Sequence, residues 1–203
     1  MDGYSSNDMN ISGGTVHCNA IPNYEGRIDH TGGTIIVETS NGYYREQDTG
    51  GGNYYGSGSA VLNLNGSSYV RLRRSGSYFN DVNVNGTYNF TSDCSYDWNI
   101  NGDFTIGGSG SFNADGQNMY VGGNWTNNGS FTHGSESVYF DGSSGSSCTV
   151  GGSSTTNFYH VYITRTGSGS LTLGHNISAE DLDVSTGSNI GLYPGSYQAD
   201  FSD

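Results

Sequence analysis

Short runs in which large apolar residues alternate with polar ones recur along this chain at nearly constant spacing. They are TVHC at Val16, TIIVE at Ile35 and Val37, AVLNL from Val61, DVNV at Val82 and Val84, and DFTI at Phe104 and Ile106. Then come MYV at Met119 and Val121, SVYF at Val138 and Phe140, HVYI at Val161 and Ile163, and DLDV at Leu182 and Val184. The steps between runs lie between 15 and 26 residues, with a mean close to 21. A second series, Val70/Leu72, Tyr88/Phe90, Phe112, Phe131, Cys148/Val150, Leu171/Leu173 and Ile190/Leu192, is interleaved at about the same spacing. Such a period, with two or three short strands in each repeat, is the mark of a β-solenoid. The expected fold is all-β: a parallel β-helix of about nine coils of about 20 residues, without helices.

This fold accounts for a composition that otherwise suits a linker. The chain of 203 residues has 34 glycines, 2 prolines and only 32% hydrophobic residues, yet it carries 16 tyrosines and 8 phenylalanines. In a solenoid the backbone groups of each coil bond to the coils above and below, so polar side chains are not needed to satisfy them. Only alternate strand residues enter a narrow core, and about a third apolar content is enough. Glycine and asparagine serve the corners, whereas proline would remove a donor from the ladder. The expected organisation is an N-terminal arm over 1–14, able to act as a strand donor, and a solenoid over 15–203 with an enlarged loop at 38–58.

The stretches GGNWTNNGSFTHGSESVYFDGS and TTNFYHVYITRTGSGSLTLGHNISAEDLDVSTGS resemble repeats of large secreted bacterial surface proteins. Those repeats alternate a G-N-W-x-N-x-G-x-F phrase with F-x-x-L/V-x-I and L-x-L phrases. The resemblance covers residues 100–193 well and extends back to about 59. It implies a right-handed parallel β-helix, an extracellular, cell-surface setting and an adhesin-like or fibre-like role. The segment ETSNGYYREQDTGGGNYYGSG departs from the repeats.

The formal charge of −13 disfavours nucleic acid and anionic membranes as partners. No apolar run reaches the roughly 18 residues that a membrane span requires, so membrane insertion is not expected. The start MDGYSSNDMN shows neither the basic opening nor the apolar centre of a secretory leader, as in a mature chain or an excised fragment. Three cysteines, Cys18, Cys94 and Cys148, cannot all pair within one chain. Cys18 and Cys148 lie two residues from Val16 and Val150 and are expected to face the core.

The search for chemistry gives no catalytic residue, metal or cofactor. Polysaccharide lyases on β-helices use calcium-binding carboxylates beside a basic residue. Here lysine is absent, and Arg71, Arg73 and Arg74 have Asp81 and Asp93 near them in sequence only. That cluster reads as a basic strip meeting acidic neighbours. Asp181 and Asp183 share one side of a strand, as two surface carboxylates do more often than a catalytic pair. GGSGSFNAD at 107–115 approaches a calcium nonapeptide, but Phe112 stands where the aspartate belongs. NADGQN reads as an Asx turn. His17, His30, His133, His160 and His175 show no ligand spacing. An ice-binding surface would need threonines in columns, and Thr105, Thr126, Thr132, Thr149, Thr164 and Thr172 suggest none.

Two features point to contact with other molecules. Tyr43, Tyr44, Tyr54 and Tyr55 lie in the enlarged loop outside the inward alternation, and tyrosine suits protein interfaces and sugar stacking. Asn10, Asn65, Asn85, Asn89, Asn124, Asn128 and Asn176 each begin an N-x-S/T sequon and are glycosylation candidates in a secreted glycoprotein. Neither terminus offers an amphipathic cap, and solenoid ends are open strand edges. The expected function is a non-enzymatic extracellular structural protein, the subunit of a head-to-tail filament or an adhesin stalk. Its expected partners are copies of itself, with glycans as a second class. The alternative is a carbohydrate-binding or polysaccharide-cleaving β-helix.

Overall fold

Alternation of apolar and polar residues in short segments makes each of them a strand with one buried side, and stacking in parallel closes the core. The computed structural model describes residues 8–21, 26–38, 43–46, 53–142, 146–165, 170–184, 191–193 and 199–201. These residues form a parallel β-solenoid of about seven turns of about 21 residues, with no helix among them. Successive coils repeat the same path. Trp98–Ile100 lies on one side, Phe104–Ile106 on a second and Ser111–Asn113 on a third. The next coil places Met119–Val121, Trp125–Asn127 and Ser130–Thr132 directly alongside them.

The longest sheet has nine strands, running from Met9–Cys18 to Gly191–Tyr193. A five-stranded sheet runs from Trp98–Ile100 to Asp181–Val184. The third side is a five-stranded sheet from Tyr44–Arg45 to Ser130–Thr132. In later coils a three-stranded sheet of Thr156–Asn157, Ile177–Ala179 and Ala199–Phe201 takes that place.

Inside, aromatic rings from consecutive coils fill the axis. Phe104 lies 4.8 Å from Trp125 and 5.8 Å from Trp98 between ring centroids, and all three are fully buried. Full burial of each such side chain contributes about 2–3 kcal/mol. The polar outside is also ordered between coils. The backbone N–H of Asp103 donates to Asp81 Oδ1 at 2.9 Å, that of Asn124 to Asp103 Oδ1 at 2.7 Å, and that of Thr149 to Asn124 Oδ1 at 2.9 Å. On another side, Asn118 N–H donates to Asp97 and Ser137 N–H to Asn118. Each of these side chains satisfies a backbone donor one coil further on.

Three early strands, Met9–Cys18, Ile28–Val37 and Tyr54–Leu64, run on around a corner that later coils break into two strands. They bend at Gly14, Gly33 and Gly58, with φ of 74°, 83° and 64°. At Gly33 a β-carbon would stand 2.5 Å from the carbonyl oxygen of Gly14, so both the dihedral and the space require glycine.

Two expected boundaries change. The first strand begins at Met9, so 9–14 belong to the solenoid rather than to a separate arm, while residues 1–7 lie outside the described ones. Within the expected loop at 38–58, Tyr44–Arg45 is a strand and 54–58 open the strand Tyr54–Leu64. Residues 39–42 and 47–52 lie outside the described ones.

Candidate functional site

The four loop tyrosines divide into two kinds. Tyr44 and Tyr54 are buried at 3% and 2% exposure, which corrects the expectation that they stand outside the inward alternation. Each occupies an inward strand position, Tyr44 beside Val70 and Tyr54 beside Ile28. Their rings meet edge to face at 5.9 Å, and Tyr54 stacks on Phe79 at 4.5 Å. Tyr54 lies with its hydroxyl 2.6 Å from His30 Nδ1, and Tyr44 donates to Glu46 Oε1 at 3.0 Å. Burial drives both phenols well above their ordinary pKa. Tyr43 and Tyr55 remain partly exposed, Tyr43 stacked on Tyr69 at 5.3 Å and Tyr55 against Tyr78 at 5.2 Å.

Glu46 organises the arginine cluster, which sequence spacing did not reveal. Its carboxylate is buried and accepts the backbone N–H groups of Arg73 and Arg74, both at 2.9 Å, as well as the Tyr44 hydroxyl. Arg71 donates to the Glu46 carbonyl at 3.2 Å and pairs with Asp93 at 2.7 Å. Arg73 donates to the Asp93 carbonyl and to Ser95 Oγ. Asp81 belongs elsewhere, in the ladder with Asp103. The cluster ties neighbouring coils together.

The remaining candidates are placed as follows. Cys18, Cys94 and Cys148 are free thiols, Cys148 buried and the other two partly buried against the core. Burial raises the thiol pKa of Cys18 and Cys148. No group of three His, Cys, Asp or Glu residues suited to a metal occurs among the described residues. Asp115 N–H donates to Asn113 Oδ1 at 3.1 Å, an Asx turn, with Gly116 at φ 98°. Threonines do align between neighbouring coils, Thr105 with Thr126 and Thr149 with Thr172, but these columns are two coils long. Asn10, Asn65, Asn85, Asn89 and Asn176 are exposed. Asn124 and Asn128 each use the carboxamide oxygen to accept a backbone N–H of the next coil.

The most organised surface feature is an outward column that the sequence reading missed. Asp29, Tyr55 and Tyr78 occupy one register position on successive coils, followed by Asn99. Tyr120, Tyr139, Tyr162 and Asp183 continue the same line. Tyr120 and Tyr139 stack with centroids 4.4 Å apart at 9°, and Tyr139 and Tyr162 at 4.6 Å and 10°. The signal was the middle letter of MYV, SVYF and HVYI. Rings stacked this way cover each other's faces and present edges and hydroxyls outward. A sugar stacks on a ring face, so the interior of this ladder is unsuited to it. The phenol pKa of Tyr162 is raised by lost hydration, by Tyr139 and by Asp181 and Asp183. That of Tyr120 rises through burial, with Asp97 next.

At the two ends of the solenoid the inward positions come to the surface. Met9 and Val16 of the first strand are 43% and 38% exposed although their register partners Ile28 and Ile35 face inward. Val184, paired with the buried Ile163, is 41% exposed in the last coil. Beside the first strand lies an almost wholly apolar cavity of about 100 Å³, lined by Met9, Ile11, Val16, Cys18, Ile21 and Ile28 among others.

No family model, curated protein or solved structure matches the chain.

Proposed function

We propose that this chain is a non-enzymatic extracellular structural protein, built to stack end to end as a filament subunit or as part of an adhesin stalk. The observation that carries this reading is the placement of apolar side chains. Among the four exposed large hydrophobic residues of the described chain, Met9 and Val16 lie on the first strand and Val184 on the last coil. All three hold register positions that are inward in the middle of the solenoid. Adding another coil at either end would bury them by the same contacts that bury Ile35 and Ile163. The strand edges at these ends would extend the parallel ladder in the same step. The extracellular, bacterial-surface setting rests on the repeat resemblance at residues 100–193.

Electron microscopy of the purified chain over rising concentration tests the assembly. Rods that lengthen in multiples of one unit are the expected result. Replacing Val16 and Val184 with aspartate is expected to leave single units. A strictly monomeric rod at high concentration, with the native chain, overturns the filament reading.

A further inference from the structure

Stacked tyrosines on successive coils bring together the carbons that an oxidised tyrosine pair joins. Tyr120, Tyr139 and Tyr162 share one outward register position, so their phenols extend in the same direction. Their ring centres are 4.4 and 4.6 Å apart, with the planes at 9° and 10°. Two phenols joined ortho carbon to ortho carbon have centres two ring radii and one carbon–carbon bond apart, which is nearly this spacing. The torsion about Cβ–Cγ is soft in an aromatic side chain, so turning adjacent rings brings their ortho carbons edge to edge without moving a coil. All three side chains are partly exposed, and an oxidant in solution can reach them. The other outward tyrosine pairs fit less well. Tyr55 and Tyr78 are 5.2 Å apart at 61° with Arg27 over the Tyr55 ring, and Tyr43 and Tyr69 are 5.3 Å apart.

We propose that this ladder is an oxidative cross-linking site, at which Tyr139 forms a dityrosine bond with Tyr120 or Tyr162. The co-reactant is a one-electron oxidant, two equivalents for each bond. Each phenol gives up one electron and its hydroxyl proton and becomes a tyrosyl radical. The two radicals pair their unpaired electrons in a new bond between ortho carbons. Each of those carbons then passes its proton to the oxygen of its own ring, and both rings are phenols again. Overall the pair has lost two electrons and two protons. Holding the rings in contact turns a meeting of two radicals into an intramolecular step. Each bond closes a covalent ring around one full coil, a tie that the three free cysteines do not supply. Such a ring restricts the unfolded chain as a disulfide does. Both partners lie in one chain, so the reaction does not depend on end-to-end assembly.

The test is photo-oxidation of the dilute native chain with a ruthenium tris-bipyridine complex, persulfate taking up the electrons. The monomer is then isolated and cut after acidic residues. Cuts at Asp115, Glu136, Asp141 and Glu180 place Tyr120, Tyr139 and Tyr162 on three separate peptides. Mass spectrometry is expected to find peptide 137–141 joined to 116–136 or to 142–180, two hydrogens lighter than the sum of the parts. Fragmentation is expected to put the second link on Tyr162 and not on Tyr159, which shares that peptide. The yield is expected to exceed that of the chain oxidised in urea by about fivefold or more. Y139F is expected to lose both products. Absence of ladder-linked peptides from the native monomer overturns the proposal, whether dityrosine forms at other pairs, only between molecules or not at all. An equal yield in urea overturns it too. These outcomes are read on the native sequence, so they do not depend on how Y139F folds.

Discussion

His30 and Tyr54, on adjacent coils, are held 2.6 Å apart between imidazole Nδ1 and phenol oxygen, with the imidazole wholly out of solvent. Nε2 faces the carbonyl of Gly33 at 3.1 Å, which fixes the proton on Nε2 and leaves Nδ1 to accept from Tyr54. Burial lowers the His30 pKa below its ordinary value. The unfolded chain therefore binds this proton more readily than the folded one. The contribution of His30 to stability is complete above about pH 6.5 and declines as pH falls toward the lower folded value. Urea unfolding across that range should show a steeper loss in the native chain than in H30F. Y54F removes the hydroxyl donor and should cost about 1 kcal/mol at neutral pH.

Gly33 is expected to resist replacement. G33A forces a left-handed dihedral on alanine and drives its methyl into the Gly14 carbonyl. A loss of about 2 kcal/mol or more is expected, read as a lower urea midpoint with an unchanged slope. Alanine at Gly108, where the nearest atom to an added β-carbon is 3.9 Å away, is the control and should change little.

Glu46 should matter more to stability than any surface acid. E46A would leave the Arg73 and Arg74 N–H groups and the Tyr44 hydroxyl without their acceptor, at a cost of about 3 kcal/mol. E46Q keeps one acceptor oxygen and should recover part of that loss. Equal midpoints for E46A and the native chain would remove the carboxylate from the account of how these coils are tied.

The inter-coil caps predict a smaller effect. D103A deletes the acceptor used by Asn124 N–H and Nδ2 and should cost about 1 kcal/mol. D103N retains an acceptor and should stay near the native value. Thermal unfolding of the pair would resolve the difference.

The solenoid was legible in the sequence because alternation and period both survive in the core residues. The path of each coil was not. The first series of runs stays on the longest sheet from Val16 to Phe104, then steps to Met119, which lies on a different side. Phe104 is in fact the neighbour of Trp125, and the short 15-residue step marked the change of side. Likewise the second series passes from Phe131 on the third side to Cys148 and Val150 on the longest sheet. Apolar content alone does not say which side of a coil a strand occupies. Tyr44 and Tyr54 misled for a related reason, since tyrosine is equally at home inside when Glu46 or His30 meets its hydroxyl. The outward ladder of Tyr120, Tyr139 and Tyr162 became visible only when register put one residue of each strand in line.

The chain of caps from Asp81 through Asp103 and Asn124 to Thr149 makes each coil an interchangeable module. Each acceptor takes a main-chain donor of the next coil, and Asp103 takes the Asn124 side-chain amide as well, so Asp81 could serve Asn124 as Asp103 does. Removing residues 103–123 as a block would bring those two into that relation and shorten the rod by one storey without altering its joints. Length in such a molecule is set by how many storeys its gene encodes, and evolution can adjust reach by duplication or loss while leaving the architecture untouched.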